Sequence, residues 1–401
     1  MKKKTIYLDY NATSPLRPEV LHAMEPYLHD TFGNPSSMHA TGQKARKALD
    51  DARETVARLL HAARPDEIIF TAGGTESDNM AIKGTALANK AKGKHIITSQ
   101  IEHHAVLYTC EYLEKEGFEV TYLPVDNYGR VNPEDVRRSI RPDTILVTIM
   151  HANNEVGTIE PIAEIGKVIK EENTKRASAG LPKVYFHTDA VQTAGKIEVD
   201  VQELGVDMLS ISAHKFYGPK GIGALYIKRV TAIQPILHGG HHERNRRAGT
   251  ENVPAIVGMA YALELALKEH SAENARLAKL RDKFEAGVKE KVPAVIFNGH
   301  PVERLPNTLS ISFTCIEGES LLLALDLEGI EVSTGSACAS GSLEPSHVLK
   351  AMGISAEVAQ GTLRFSLGHY TTEEDIDRVL EVLPRLVARL REMSPLWKAA
   401  R

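Results

Sequence analysis

The sequence predicts an α/β protein: a mainly parallel seven-stranded sheet in a large domain, joined to a smaller α+β domain. Three observations carry this. Between residues 68 and 228, seven short apolar runs recur, with helix-like stretches between most of them. The runs are continuously apolar, as expected of strands covered on both faces. Beyond about residue 255 the alternation gives way to long helical stretches and two isolated strand-like runs. Repeated strand–helix units build parallel sheets, and their ligands bind beyond the carboxyl ends of the strands.

In chain order the strand-like runs are 68–70, 96–98, 120–123, 144–150, 184–187, 208–212 and 224–227. Helices are expected over 77–90, 105–116, 133–140 and 161–172. The segment "EENTKRASAGLPKV" (171–184) reads as a polar surface loop or insertion. In the second domain Leu277, Leu280, Phe284 and Val288 form one apolar helical stripe. Strands at 308–313 and 362–367 flank a Gly/Ser-rich loop at 333–343. A final helix runs from Glu373 to about Arg391, with Thr371-Thr372 supplying its cap. This divides the chain into a large domain, 16–258, and a small one made of 1–15 and 259–401.

Composition narrows the function. With 401 residues, 42% hydrophobic and 25% charged, the chain is ordinary globular protein. A net charge of −4 supplies no bulk field for nucleic acid or membrane. Cys110, Cys315 and Cys338 form no CxxC pair and no zinc spacing, which suits a reducing compartment. The start, "MKKKTIYLDY", has its apolar stretch cut by Asp9 and is no secretory signal. The most apolar stretch, 253–263, is too short to span a bilayer. A cytoplasmic protein is expected.

The chemistry lies at the strand ends. The stretch "SISAHKFYGPKG" (210–221) puts Lys215 directly after an apolar run, where an unpartnered lysine is costly. Lys220, past a Gly-Pro turn, reads as solvated. Gly73-Gly74-Thr75 lead straight into a helix: either an anion cradle or a tight turn capped by Thr75. His103 and His104 precede the next helix, as ring-bearing site residues or as helix-start polarity. Asn153 and Asn154 follow the fourth run, Asp189 and Gln192 the fifth, and Ser212, His214 and Lys215 the sixth. Phosphate cradle, imidazole, amide, carboxylate and lysine together form the inventory of a pyridoxal phosphate site. The lysine forms the Schiff base, and the carboxylate partners the ring nitrogen.

Cys338 sits in "STGSACASGSLEPSH" (333–347), among residues with little to pack against. It is an innocuous loop cysteine or a nucleophile activated by basic groups or substrate. Cys110 reads as core, and Cys315 has no role. The basic, glycine-rich "HGGHHERNRRAGTEN" (238–252) is a surface loop or an anion site. Arg364, inside an apolar strand, needs a carboxylate partner, internal or on a substrate.

These stretches resemble the cysteine desulfurases, fold-type-I pyridoxal phosphate enzymes. The resemblance covers almost the whole chain. It includes "YLDYNAT" (7–13), "FGNPSS" (32–37), "TESDN" (75–79), "NNEVGT" (153–158), "HTDAVQ" (187–192) and "SAHKFYGPKG" (212–221). It continues through "RRAGTEN" (246–252), "GSACASGSLEPSH" (335–347) and "LRFSLG" (363–368). The long cysteine-bearing loop looks like group I of the family.

The resemblance implies that Lys215 holds the cofactor, that His103 stacks on its ring and moves protons, and that Asp189 meets the ring nitrogen. Asn154 and Gln192 approach the phenolic oxygen. Gly74, Thr75, Ser212 and His214 hold the phosphate, and Thr250 reaches the phosphate of a partner subunit in a homodimer. Arg364 binds the carboxylate of L-cysteine, with help from Asn11. Cys338 takes the sulfur as a persulfide, leaving alanine, for an iron–sulfur scaffold protein or other acceptor. On a nascent cluster Cys338 is a transient iron ligand. The chain end soon after "SPLW" (394–397), with "HERNRRAGTEN" and "GSLEPSHVLKAMG", leans towards the nitrogenase-associated branch. A selenocysteine lyase or aminotransferase is the alternative enzyme, though an aminotransferase needs no nucleophilic thiol. A non-enzymatic sulfur carrier leaves Lys215 and Asp189 unexplained.

Overall fold

The computed structural model describes residues 5–334 and 345–399. A short strand, β1 (Ile6–Tyr7), precedes the main sheet. The sheet is built from β2 (Ile68–Thr71), β3 (His95–Ser99), β4 (Glu119–Leu123), β5 (Thr144–Thr148), β6 (Tyr185–Asp189), β7 (Met208–Ser212) and β8 (Gly223–Ile227). Its order is β2-β8-β7-β6-β5-β3-β4, and β8 alone runs against the others. The seven apolar runs are these seven strands. Every residue is buried in all but edge strand β4, which explains their unbroken apolar character.

Side chains alternate between two cores. Ile68, Phe70, Leu209 and Ile211 face one, which the Ala40–Leu59 and Ile162–Ser178 helices help to cover. Ile69, Ile96, Met208 and Leu225 face the other, beneath helices Gly74–Asn89 and His104–Lys115. Because the parallel strands share one direction, their carboxyl ends come together along one edge of the sheet.

Helix Val253–Lys291 serves two cores. Its residues Val253 to Leu263 pack near or against the main sheet, while Leu277, Leu280, Phe284 and Val288 enter a separate core as the expected stripe. That core lies on an antiparallel sheet of β9 (Val295–Asn298), β10 (Thr308–Phe313) and β12 (Thr362–Ser366), in the order β12-β10-β9. β1 pairs with β11 (Ile330–Glu331) and brings Ile6 and Leu8 into the same core. Helix Glu373–Met393 closes it, and Thr372 and Asp375 exchange side chain–backbone hydrogen bonds in a capping box.

One expectation fails. The 171–184 segment is helical as far as Ser178. Arg176 turns inward and donates to the carbonyls of Arg141, Pro142, Thr144 and Pro182 at 2.7–3.1 Å. The Asn173 amide clasps the backbone of Val184 from both sides. These polar residues stay helical because distant backbone groups satisfy them. Among the described residues, no helix is long and apolar enough to cross a membrane.

Candidate active site

The carboxyl ends of β2, β3, β5, β6 and β7 surround a cavity of about 330 Å³. At one end Gly73, with φ 154°, precedes the Gly74 helix and offers no side-chain cap to its first N–H groups. A Cβ on Gly74 would lie 2.7 Å from Val191 Cγ2, so only glycine leaves that backbone unobstructed. Thr75, Ser212 and His214 share this end, which also opens to a wider cleft of about 780 Å³. His214 Nδ1 lies 3.1 Å from Thr13 Oγ1. Burial, then the charges of Lys215 and Lys220, lower its pKa to about 4, so the ring is neutral. Lys220 itself is exposed and lines the wider cleft.

Lys215 ends a 3-10 turn, Ala213–Lys215, directly after β7. Its Nζ donates to the carbonyls of Asn11 at 2.5 Å and Ala12 at 2.9 Å. Asp189 ends β6, and its Oδ1 accepts the Val191 N–H at 2.8 Å. Burial raises its pKa to about 6 against the Val191 hydrogen bond and Lys215 charge, so it is ionised at neutral pH. His103 caps the His104 helix by accepting the Ala105 N–H. Burial, then Lys215 and two neighbouring imidazoles, lower it to about 4. A neutral ring therefore faces an ionised carboxylate and an amine in one cavity.

Asn154 and Gln192 also line the cavity, and both are tied to Asn11. Asn11 Nδ2 donates to the Asn154 carbonyl at 3.2 Å, and Gln192 Nε2 to the Asn11 carbonyl at 3.0 Å. Arg364, 2% exposed, reaches the cavity from β12. It meets one carboxylate within the chain, Asp9 Oδ1, 2.7 Å from Nη2, while Nη1 donates to the Asn154 carbonyl. Thr250 is exposed and is not among the described residues lining this chain's cavity. Cys338 lies outside the described residues. The flanks of its segment are both fixed at the cavity. Ser333 exchanges backbone hydrogen bonds with Arg364, and Ser346 Oγ donates to Glu155 at 2.5 Å. His347 follows, in the cavity wall.

Compared with known proteins, the chain matches the Aminotransferase class-V family over residues 6–379. It belongs to the class-V aminotransferase family. It is 58% identical to "Cysteine desulfurase IscS" of Dictyoglomus turgidum, covering 99% of this chain and 98% of that protein. The protein of the same name from Methanosarcina thermophila is 56% identical, with 98% and 95% covered. A solved "NIFS-LIKE PROTEIN" superposes with a TM-score of 0.89 at 41% identity, over 96% of this chain and all of that one.

Class-V aminotransferases imply pyridoxal phosphate, and this cavity fits it. The uncapped helix end beside Gly74 suits a phosphate, Asp189 suits a pyridinium nitrogen, and Lys215 stands in the same wall. The class-V site also holds residues that sequence reasoning missed. Asp78, one turn into the Gly74 helix, is buried in the cavity wall. Burial, then the Asp189 charge, push its pKa well above the usual range, and its Oδ1 has no hydrogen-bond partner among the described residues. Its spacing from Gly74 was the available signal. Lys196 and Glu102 gave none, since each also needs a partner distant in sequence, Asn11 for Lys196 and Met150 for Glu102.

Glu102 accepts from Ser99 Oγ and the Met150 N–H through Oε1, and burial raises it to about 8. A carboxyl raised by folding contributes stability in full below its unfolded value, about 4.3. That contribution is lost as pH climbs towards 8. Glu102→Gln, which mimics the protonated acid, should therefore flatten the loss of stability between about pH 5 and pH 8. The steepest slope from one such group is about 1.4 kcal/mol per pH unit. Denaturant titrations across that range check it; an unchanged slope means the folded group is ionised.

Proposed function

We propose that this chain is a cysteine desulfurase that converts L-cysteine to L-alanine and keeps the sulfur as a persulfide on Cys338. The observation that carries it is one cavity uniting Lys215, Asp189, His103 and Arg364, in a chain so similar to named desulfurases. Pyridoxal phosphate, when bound, supplies an electrophilic aldehyde and an electron-accepting ring. Gly74, Thr75, Ser212 and His214 hold its phosphate, and Asp189 keeps a proton on the ring nitrogen. His103, neutral in its buried position, covers the ring and accepts or returns a proton. Arg364, aimed by Asp9, binds the substrate carboxylate beside Asn11. The Cys338 thiolate forms an S–S bond as the substrate C–S bond breaks. The bonding pair stays with carbon, which takes up a proton to become alanine.

The persulfide passes to an iron–sulfur scaffold protein or other acceptor, with Cys338 briefly an iron ligand there. A thiol used this way suits a reducing cytoplasm. A tie to nitrogenase is the narrower form of the proposal and rests on the sequence motifs alone. Purified protein given L-cysteine should yield alanine and protein-bound sulfane sulfur in equal first-turnover amounts. Pyruvate with an aminated cofactor would identify an aminotransferase instead.

The working unit is a homodimer in which Thr250 serves the partner's phosphate. Mixed dimers of Lys215→Ala and Thr250→Ala subunits then hold one doubly defective site and one intact site. Their activity should exceed that of either parent; no gain on mixing would remove the shared site.

A further inference from the structure

Behind Lys215 lies a second chamber, of about 40 Å³, that shares this residue with the main cavity. Its wall includes Lys196, half-buried and four residues beyond Gln192. Lys196 Nζ donates to Gln192 Oε1 at 3.0 Å and to Asn11 Oδ1 at 3.2 Å. Gln192 Nε2 donates in turn to the Asn11 carbonyl, the oxygen that also accepts Lys215 Nζ. The remaining Asn11 groups are held as well. Its N–H donates to Ser366 Oγ, and its Nδ2 to Thr308 Oγ1 and the Asn154 carbonyl.

An ammonium donates and never accepts. Lys196 therefore meets both amides through their oxygens, Gln192 Oε1 and Asn11 Oδ1, the latter shared with Asn307 Nδ2 at 3.1 Å, while the Asn11 and Asn154 carbonyls hold the two amide nitrogens. Gln192 then presents its NH₂ on the other side, and the Asn11 carbonyl stays directed at Lys215.

We propose that Lys196 is a positioning residue, whose ammonium fixes the Gln192 and Asn11 amides against Lys215 and the cofactor's ring oxygen. This rests on the reading that pyridoxal phosphate occupies the main cavity. Burial, then the charges of Lys215 and Arg364, lower Lys196 to about 7, so it is fully an ammonium only below neutral pH. Arg17, Glu269, His270, Glu273 and His369 also face the chamber. Arg17 and Glu269 are paired at 2.7 Å, and His369 lies 3.9 Å from Glu273.

The test uses holoenzyme carrying Lys196→Met or Lys196→Gln. The absorbance of bound pyridoxal phosphate is titrated with pH, beside turnover and melting temperature. Removing the neighbouring charge favours a protonated nitrogen at Lys215. The midpoint should rise by about one pH unit in the methionine variant, with turnover down about tenfold. The glutamine variant, which keeps a donor, should shift in the same direction and lose about threefold. An unmoved midpoint with wild-type turnover in either variant overturns the proposal. So does a fall in melting temperature with the midpoint unmoved, which marks a structural role. Wild-type protein that binds no pyridoxal phosphate would instead overturn the underlying reading.

Discussion

Lys215→Ala should lower alanine release from cysteine by roughly 10³-fold or more while leaving the chain folded. The amine it removes is delivered by the 3-10 turn after β7 and held by two carbonyls of the N-terminal segment. No other lysine replaces it. Lys220 is exposed at the wider cleft, and Lys196 is engaged by Gln192 and Asn11. Stability should fall by only about 1 kcal/mol, because the Asn11 carbonyl keeps its bond from Gln192. In wild-type enzyme, borohydride reduction followed by peptide mapping should place the cofactor on the Lys215 peptide. A label on Lys220 or Lys196 would overturn the site.

Cys338→Ala should be as severe for a different reason. The cavity residues proposed to hold the cofactor and the substrate carboxylate remain, so the variant should bind pyridoxal phosphate and cysteine with near wild-type affinity. Turnover should nonetheless drop by roughly 10³-fold, because nothing accepts the sulfur when the C–S bond breaks. The other two cysteines are poor substitutes. Cys110 is buried among apolar side chains with its pKa pushed far up, and Cys315 follows β10 and is not among the described residues lining the cavity. Both anchors of the 335–344 segment lie at the cavity, Ser333 on Arg364 and Ser346 on Glu155. Spectra recorded beside alanine and sulfide release check this. Retained turnover would remove the nucleophile, and lost cofactor binding would make the segment structural.

The sheet was legible because parallel strands covered on both faces must be apolar at every position, and Met208–Ser212 is such a run. The same rule placed Lys215 beyond its end. Polar residues followed no comparable rule. The 171–184 segment looked like a loop because the carbonyls that satisfy Arg176 lie more than thirty residues away for three of its four bonds. Arg364 announced a missing carboxylate, but Asp9 is 355 residues distant. Asp78 and Lys196 are ordinary surface-type residues in sequence. Only the assembled cavity makes one a buried acid and the other an amide clamp.

The segment around Asn11 also constrains the order of assembly. β1 pairs Ile6 with Ile330 and Tyr7 with Glu331, and the Asn11 N–H waits for Ser366. During synthesis the bonds of this early segment to Gln192, His214 and Lys215 can form first, and those to Ile330, Glu331 and Ser366 must follow. A translation product halted before Ser366 therefore lacks the bond that fixes the Asn11 N–H, and with it part of the frame behind Lys215.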